Sequence, residues 1–449
     1  MKTLKITIIL ILTLITIPTT GQTITLDLSK KLALKNNKTL KEAKLNLKVS
    51  EKVKQNAFTK YFPKVSASAF AIRSSDYLLK IKTPEMNLPI YDGNPANLAT
   101  ATQFAYVPPM NIQSLDYANT AIITAIQPIY TGGRIKNGNK LANLGKEVSQ
   151  YQLNLSLNQV LATTESYYWQ LVALKEKKTT LKSYEKMLLT LQKEVQDFYD
   201  AGLVTKSDLL KVKLALNKIE ANKLKLDNGT ELLKMVFSQY IGIPYQKTVN
   251  VNDSIIAILP PETYYIEPSL GLKNRQEYKM LNKAVAAEVL QKKMTKGEFL
   301  PELAVGASEL YLDAYKQKNS YGLAFATLSI PISDWWGGAY KMQKHAIKIE
   351  IAKNNLDEKS ELLQLQISKA YKDLTNSYKQ IAVAKTALKQ SLAYQKELED
   401  NYDAGISNTS DLLEARALAQ KAKDNVIDTK TNYKIKVANY LLAIGKTVK

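Results

Sequence analysis

Cysteine is absent from this 449-residue chain, and histidine occurs once, as His345. The lack of thiols excludes disulfides, thiolate metal sites, cysteine nucleophiles and a lipidated N-terminal cysteine. A single histidine cannot build a multi-histidine cluster, so the sequence predicts no metal site. Basic residues crowd His345, and no partner or pocket is marked for it. This setting favours an ordinary helix-surface position over a general base.

Motifs that carry catalysis are also missing. The chain has no Gly-x-x-x-x-Gly-Lys phosphate loop, no nucleophile arranged with a base and no metal-ligand spacing. Acidic pairs are numerous enough to hide a glycosidase-like dyad, but no pocket signature accompanies one. The sequence therefore predicts a protein that is not an enzyme and that uses no cofactor.

Arginine is scarce although the chain is strongly basic. Lys and Arg number 62 against 41 Asp and Glu, a formal charge of +21, and arginine occurs only at Arg73, Arg134, Arg275 and Arg416. Nucleic-acid binders usually concentrate their basic residues and favour Arg for bidentate contacts. Lysines here mix with acids along helical patterns, which favours solvated helix surfaces over a polyanion partner. We therefore expect no nucleic-acid partner.

Long apolar runs are lacking except near the N-terminus. Two lysines precede a mainly apolar core at residues 6–17, and small residues follow at 19–21. This order is typical of a signal peptide, predicted at 1–21, so the mature chain would begin near Gln22 and be exported. No later stretch reaches about 18 uninterrupted apolar residues, so any membrane-spanning part would have to be a β-barrel.

One motif occurs twice, 203 residues apart. Residues 199–210 and 402–413 are identical at eight of twelve positions. Two other pairs of short motifs occur in the same order: 127–129 with 330–332, and 61–65 with 299–303. Three ordered matches indicate a duplication.

The duplication divides the mature chain into a first repeat at 22–242, a linker or equatorial segment at 243–273 and a second repeat at 274–449. Each repeat is predicted to contain a helix, a strand, a loop, a strand, a long helix, a tight turn and a helix. The offset of the 61–65 motif is 238 rather than 203, so one connecting loop is longer in the first copy. That loop is the Pro-containing stretch 74–117, which is far longer than usual.

Long helices are predicted at 134–199 and 339–402, where Pro is absent and Gly nearly so. Each would extend roughly 100 Å, beyond what a compact soluble domain uses. Apolar stripes at spacings of three and four continue on the returning helices, predicted at 207–241 and 410–445. This pattern indicates coiled-coil-like packing of two helical hairpins.

The hairpin turns have local signals. Gly202 and Gly405 can adopt the left-handed conformation that ends a helix. Ser207 and Ser410 can cap the next helix, and an Asp follows each of them in its first turn.

Four segments between the helices predict strands. In each segment apolar and polar side chains alternate over about ten residues, which is long enough for a tilted membrane strand. The same pattern fits edge strands of a soluble sheet equally well. Tyr130, Trp335 and Trp336 lie at strand ends, as an aromatic girdle would. Four strands cannot close a barrel, so a membrane-spanning barrel needs several chains. The predicted strands are about 64–73, 119–130, 302–312 and 321–332.

The motifs together resemble the TolC-like outer-membrane efflux proteins. They are the Tyr-Phe-Pro and Phe-Leu-Pro marks before the strand pairs, the Tyr-x-x-Gly…Ser-Asp-Leu-Leu hairpins and the run 274–278. The resemblance covers essentially the whole mature chain. It implies a mainly α protein with a β-barrel portion: a homotrimer with four strands per protomer in a shared twelve-stranded barrel and an α-helical tunnel.

The resemblance also implies function, partners and location. The protein would be the outer-membrane duct of a tripartite efflux or type I secretion system, in contact with outer-membrane lipid and with its helices in the periplasm. The tips, Gly202-Leu203 and Gly405-Ile406, would dock to a periplasmic adaptor protein that links the duct to an inner-membrane pump. An exported periplasmic coiled-coil structural or adaptor protein is the alternative reading.

By motif position, the resemblance also implies a periplasmic gate. Tyr402 corresponds to a gate tyrosine and Asp208 to its acidic partner, while Asp411 and Glu414 correspond to acids that ring the lumen. Family members have a basic residue where this chain has Ser407, and this departure puts the full gate contact in doubt. A favourable charge in the first helical turn explains Asp411 and Glu414 as well.

Overall fold

A computed structural model describes residues 23–245, 250–251, 253–254, 258–315 and 317–446. The predicted signal peptide at 1–21 lies outside the described residues, as do parts of the predicted linker. The chain divides into two compact units. One unit is helical and consists of the described residues within Met1–Lys52, Leu144–Ala287 and Ile349–Lys449; the other holds the main sheet and consists of those within Val53–Asn143 and Glu288–Lys348.

The first repeat begins with two helices and ends in a long helical hairpin. The strands between them include a series of four short ones. In chain order the elements are β1 (Thr23–Ile24), α1 (Leu26–Asn36), α2 (Lys38–Thr59), β2 (Lys64–Arg73), β3 (Leu79–Lys82), β4 (Met86–Pro89), a 3-10 turn (Pro95–Thr100), β5 (Phe104–Val107), β6 (Asn111–Ser114), β7 (Tyr117–Thr131), α3 (Arg134–Asp200) and α4 (Lys206–Ile241).

The second repeat follows the same plan with a much shorter connection between its two strands. A short strand and a 3-10 turn precede it. The elements are β8 (Asn250–Val251), the 3-10 turn (Pro261–Tyr264), α5 (Pro268–Asn274), α6 (Gln276–Glu298), β9 (Glu302–Ala314), β10 (Gln317–Ser329), α7 (Trp335–Asp403) and α8 (Thr409–Ala443).

Four long strands form one antiparallel sheet in the order β10-β9-β7-β2. The central pair joins the two repeats, with Thr124 of β7 opposite Ser308 of β9. A register shift between Pro128 and Tyr130 interrupts this pair, because proline has no N–H to donate to the ladder. Strands β2 and β10 form the two edges of the sheet.

The largest differences from the predicted boundaries are at β10 and at the start of α7. Strand β10 is Gln317–Ser329 rather than 321–332, and it ends before Pro331, which has no N–H to donate to a ladder. Helix α7 begins at Trp335 rather than 339, so Gly337 and Gly338 lie within it. A Cβ on Gly338 would lie only 3.2 Å from the ring of Phe299, whose carbonyl oxygen accepts a 2.9 Å bond from Trp335 Nε1.

The long loop expected at 74–117 is folded. Strand β3 pairs with β6 and β4 pairs with β5, each over four residues, so the two pairs are nested as one β-ribbon. Backbone bonds continue the ladder at the junctions, from Ser74 N–H to the Asp116 carbonyl (2.8 Å) and from Thr83 N–H to that of Met110 (2.9 Å). The prolines lie at the breaks, at the end of β4 and at the tip, where a missing N–H is tolerated. We call residues 79–114 the ribbon.

The helical unit carries a further mark of duplication. Gly242 and Gly445 follow the last helix of each repeat, with φ of 73° and 69°. A Cβ would lie 2.4 Å from Asn36 at Gly242 and 2.8 Å from Asn274 at Gly445, so both glycines permit close backbone approach. The two glycines are 203 residues apart and the two asparagines 238, the same offsets as in the sequence motifs.

Candidate functional site at the hairpin tips

The first tip is a tight turn after α3. Gly202 has φ of 76°, and the next N–H, of Leu203, donates to the carbonyl of Phe198 at 2.8 Å. This is the bond pattern of a left-handed helix stop, which glycine adopts without steric cost. The Leu203 side chain is 72% exposed. The turn therefore holds an apolar side chain in solvent on a defined backbone.

The helix after this turn starts with a capping box. The cap residue is Thr205, two positions before the expected Ser207, and it accepts a bond from the Asp208 backbone N–H. The Asp208 carboxylate accepts bonds from the Thr205 hydroxyl (2.6 Å) and backbone N–H (3.3 Å) and from Lys211 Nζ (3.3 Å). The hydrogen bond from the Thr205 hydroxyl is the main reason that the pKa of Asp208 is lowered, and Lys211 adds to it.

The second tip repeats the turn. Gly405 has φ of 74°, and Ile406 N–H donates to the Asn401 carbonyl at 2.8 Å. Ile406 is 77% exposed, like its counterpart in the first tip. The cap of α8 is Asn408 rather than the expected Ser410, because its side chain accepts from two backbone N–H groups of the first turn. Ser407 donates to the Leu398 carbonyl at 3.2 Å, within its own hairpin.

A buried apolar cluster joins the two hairpins just behind the tips. Leu412 of the second hairpin is 1% exposed and packs with residues of the first. Tyr402 packs at the edge of the same cluster. We call this group the tip cluster; its buried members are Tyr184, Leu188, Leu191, Val195, Leu209, Val212, Ile219 and Leu412.

Tyr402 and Asp208, the predicted gate pair, are not hydrogen-bonded to each other in the single chain. The bonds given above for the Asp208 carboxylate are those of its own helix start. The hydroxyl of Tyr402 is buried and has no hydrogen-bond partner among the described residues. A buried hydroxyl without a hydrogen bond costs free energy.

The other two predicted gate acids occupy the first turns of α8. Asp411 is half-buried, and its backbone N–H is bonded by Asn408 at 3.1 Å. Glu414 is exposed and lines a groove of about 580 Å³ between the first hairpin and α8, together with Tyr184 and Lys218. Asp411 is therefore placed where a negative charge is favourable in the first turn of a helix, whereas Glu414 lies beyond that turn and faces the groove.

Further from the tips, polar groups connect the hairpins. Thr180 Oγ1 donates to Asp424 at 3.0 Å, and Gln420 donates to Thr180 at 3.0 Å. Lys177 pairs with Asp428 at 2.7 Å one turn away. The sequence did not indicate this network, because its members are about 250 residues apart and lie on polar positions of ordinary helices.

Arginine side chains form ion pairs where secondary-structure elements meet. Arg416 Nε pairs with Glu399 at 2.9 Å and joins α8 to α7 behind the second tip. Arg275 pairs with Glu277 at 2.6 Å at the start of the second repeat. A planar guanidinium holds a carboxylate in a more defined geometry than an ammonium does. The scarcity of arginine was the only sequence signal for these contacts.

His345 differs from its expected helix-surface setting. It is half-buried on α7, and its Nε2 lies 3.1 Å from Thr295 Oγ1. Within the described ranges, no group of three or more acidic or histidine side chains could hold a metal ion.

The sheet unit exposes apolar and aromatic side chains. Val65 and Phe70, on opposite faces of β2, are 65% and 62% exposed, and Trp336 is 82% exposed. Tyr130 and Trp335, the other predicted girdle residues, are also exposed. None of the helices in the described part of the chain combines the length and apolar character needed to cross a membrane.

The fold is that of known outer-membrane channels. The CmeC channel of Campylobacter jejuni is similar with a TM-score of 0.74 at 15% identity, over 94% of this chain and 87% of that one. VceC of Vibrio cholerae gives 0.73 at 13% identity over 94% and 97%. The open state of MtrE from Neisseria gonorrhoeae gives 0.73 at 13% identity over 94% and 89%. At such identities the likeness shows the fold.

The family follows from the sequence model of outer membrane efflux proteins, which matches residues 30–230 and 268–446. The chain belongs to this outer membrane efflux protein family, whose members are channels. No curated protein sequence matches the chain. The resemblance drawn from the motifs is thereby confirmed: the protein is a duct of the outer membrane, with its helical part in the periplasm, in a tripartite efflux system.

Proposed function

We propose that three copies of the chain form the duct, with β2 of one protomer paired to β10 of the next. Both are edge strands with one neighbour each among the described strands. An open edge in lipid leaves backbone groups without hydrogen bonds, and cyclic pairing removes it. Three four-stranded sheets give a twelve-stranded barrel, and the helical hairpins give the tunnel. The exposed apolar side chains of the sheet are then available to outer-membrane lipid.

The two tips serve as the docking points for a periplasmic adaptor, which connects the duct to an inner-membrane pump. Leu203 and Ile406 support this, because each is an exposed apolar side chain on a rigid left-handed turn. Apolar anchors held in one conformation bind with little loss of entropy. The protein works as a passive conduit and carries no catalytic step.

The gate lies behind the tips. We place the partner of the Tyr402 hydroxyl in a neighbouring protomer, because this buried group has no hydrogen bond among the described residues. Ser407, bonded within its own hairpin, does not replace the basic residue of related gates. The closed state instead relies on Leu412 in the tip cluster and on the network around Asp424. Repeated threefold, Asp411 and Glu414 favour cations at this narrow end.

The proposal is tested on the purified full-length protein, by its oligomeric state in detergent and its single-channel conductance in a planar bilayer. We expect a heat-modifiable trimer with a small, cation-preferring conductance. Tyr402→Phe should raise the conductance, because it removes the hydroxyl that the neighbour binds, whereas Tyr394→Phe, at an exposed position of the same helix, should not. A soluble monomer that never inserts would refute the trimeric duct; equal conductance of both variants would refute the gate assignment.

A further inference from the structure

The ribbon has no counterpart in the second repeat, where β9 ends at Ala314 and β10 begins at Gln317. It extends from the end of the sheet opposite to the one where α2 and α3 attach, because β2 runs from α2 to the ribbon and β7 runs from the ribbon back to α3. Since the helices lie in the periplasm, the ribbon lies at the external mouth.

The ribbon is poorly covered within its own chain. Each of its two strand pairs is only four residues long, and an isolated two-stranded ribbon is marginally stable in water. Its distal pair is apolar on both faces: Met86 and Leu88 point one way, and Phe104 and Tyr106 the other, and all four are exposed. Contiguous exposed apolar surface marks an interaction site.

The lack of charge in the ribbon indicates which partner covers its exposed apolar surface. Residues 93–115 contain no charged side chain, although charged residues make up 23% of the whole chain. Anionic headgroups of a membrane surface would be met by Lys or Arg, and the ribbon carries only Lys80 and Lys82, both in β3 next to the sheet. Residues that lie on a threefold axis meet their own copies, so like charges repel there and an uncharged surface is favoured. The distal ribbon has that character.

The dimensions allow contact at the axis. Twelve strands at about 4.8 Å spacing and a tilt near 40° give a barrel radius on the order of 12 Å. Residues 79–89 alone extend about 36 Å at roughly 3.3 Å per residue, so each ribbon can reach across the mouth.

We propose that the three ribbons of the trimer meet over the external mouth through their uncharged distal parts, residues 93–107, and constrict the duct there. The occupant of each exposed ribbon surface is therefore a second copy of the same ribbon. This inference rests on the proposed trimer.

The chain lacks cysteine, which permits single-cysteine cross-linking in full-length protein in native membranes. Leu98→Cys places a thiol at the exposed ribbon tip, and Lys318→Cys places the control at the start of β10, on the same rim. With a short bismaleimide we expect covalent dimers for Leu98→Cys only, because rim copies lie about 20 Å apart in a barrel of this size. Labelling with a monomaleimide verifies that both thiols are accessible.

Conductance gives a second readout. Leu98→Lys places three like charges at the axis, which repel and open the external constriction. If this constriction and the rest of the duct have equal resistance, the single-channel conductance should rise about twofold. Lys318→Leu should leave it unchanged. A trimer that conducts, while Leu98→Cys is labelled but not cross-linked, overturns the ribbon inference alone. Absence of trimer and conductance overturns the proposed function itself.

Discussion

Asp208 shows at the residue scale how a side chain can be engaged locally before it meets any partner. Its pKa lies below the ordinary 3.8, mainly through the Thr205 hydroxyl. Because the folded-state pKa is lowered, the carboxylate stabilises the fold above the unfolded pKa, and this contribution is lost as pH falls through the folded pKa. The local role is therefore present at neutral pH and absent in strong acid.

We expect Asp208→Ala to lower the free energy of unfolding by about 1 kcal/mol at neutral pH, since it removes half of a capping box. The difference from the parent should shrink as the pH falls below 3.8, where the carboxylate of the unfolded chain becomes protonated, and disappear below the lowered pKa of the folded state. Thermal unfolding of the detergent-solubilised protein at the two pH values measures both effects. Ser207→Ala, at an exposed neighbour that does not cap, is the control; an equal loss there would argue against the capping box.

Several residue-scale features could be read from the sequence and others could not. Gly202 and Gly405 were predicted to end their helices and have left-handed φ values. The caps were placed two residues too late, since Ser, Thr and Asn cap almost equally well and only geometry selects among them. The pairing of Arg416 with Glu399 depends on how α7 and α8 are aligned, which no local pattern determines.

At the scale of elements, the packing of α8 against the first hairpin is the contact that a gate must break. Leu412→Ala leaves a cavity in the tip cluster and should cost about 2–5 kcal/mol. We expect a higher open probability in planar bilayers as a result. Leu418→Ala, on the same helix but exposed, should change neither stability nor conductance; an unchanged Leu412→Ala channel would show that the cluster does not hold the tips closed.

Sequence patterns predict the helices and strands well where the pattern is long. The 3–4 stripes and the lack of Pro gave both long helices within a few residues at each end. The ribbon was missed as structure because its prolines, Pro84, Pro89, Pro95, Pro108 and Pro109, suggest a loop. They occupy a strand end, a tip and the breaks between strand pairs, where a missing N–H costs nothing.

For the whole molecule, the central claim is that protomers join through their sheet edges. Within one chain, β2 and β10 are separated by two strands. That separation is about 14 Å at 4.8 Å per strand, too far for a disulfide. Any disulfide between a cysteine on β2 and one on β10 must therefore connect two chains.

The most direct measurement combines Ala69→Cys on β2 with a cysteine scan of β10, at Ser320, Gly322 and Ala324, in membranes under oxidising conditions. At the matching register we predict a covalent trimer that survives boiling in SDS and reverts to monomer on reduction, while each single variant stays monomeric after boiling. Free thiols in every double variant, accessible to maleimide and never linked, would contradict the shared barrel.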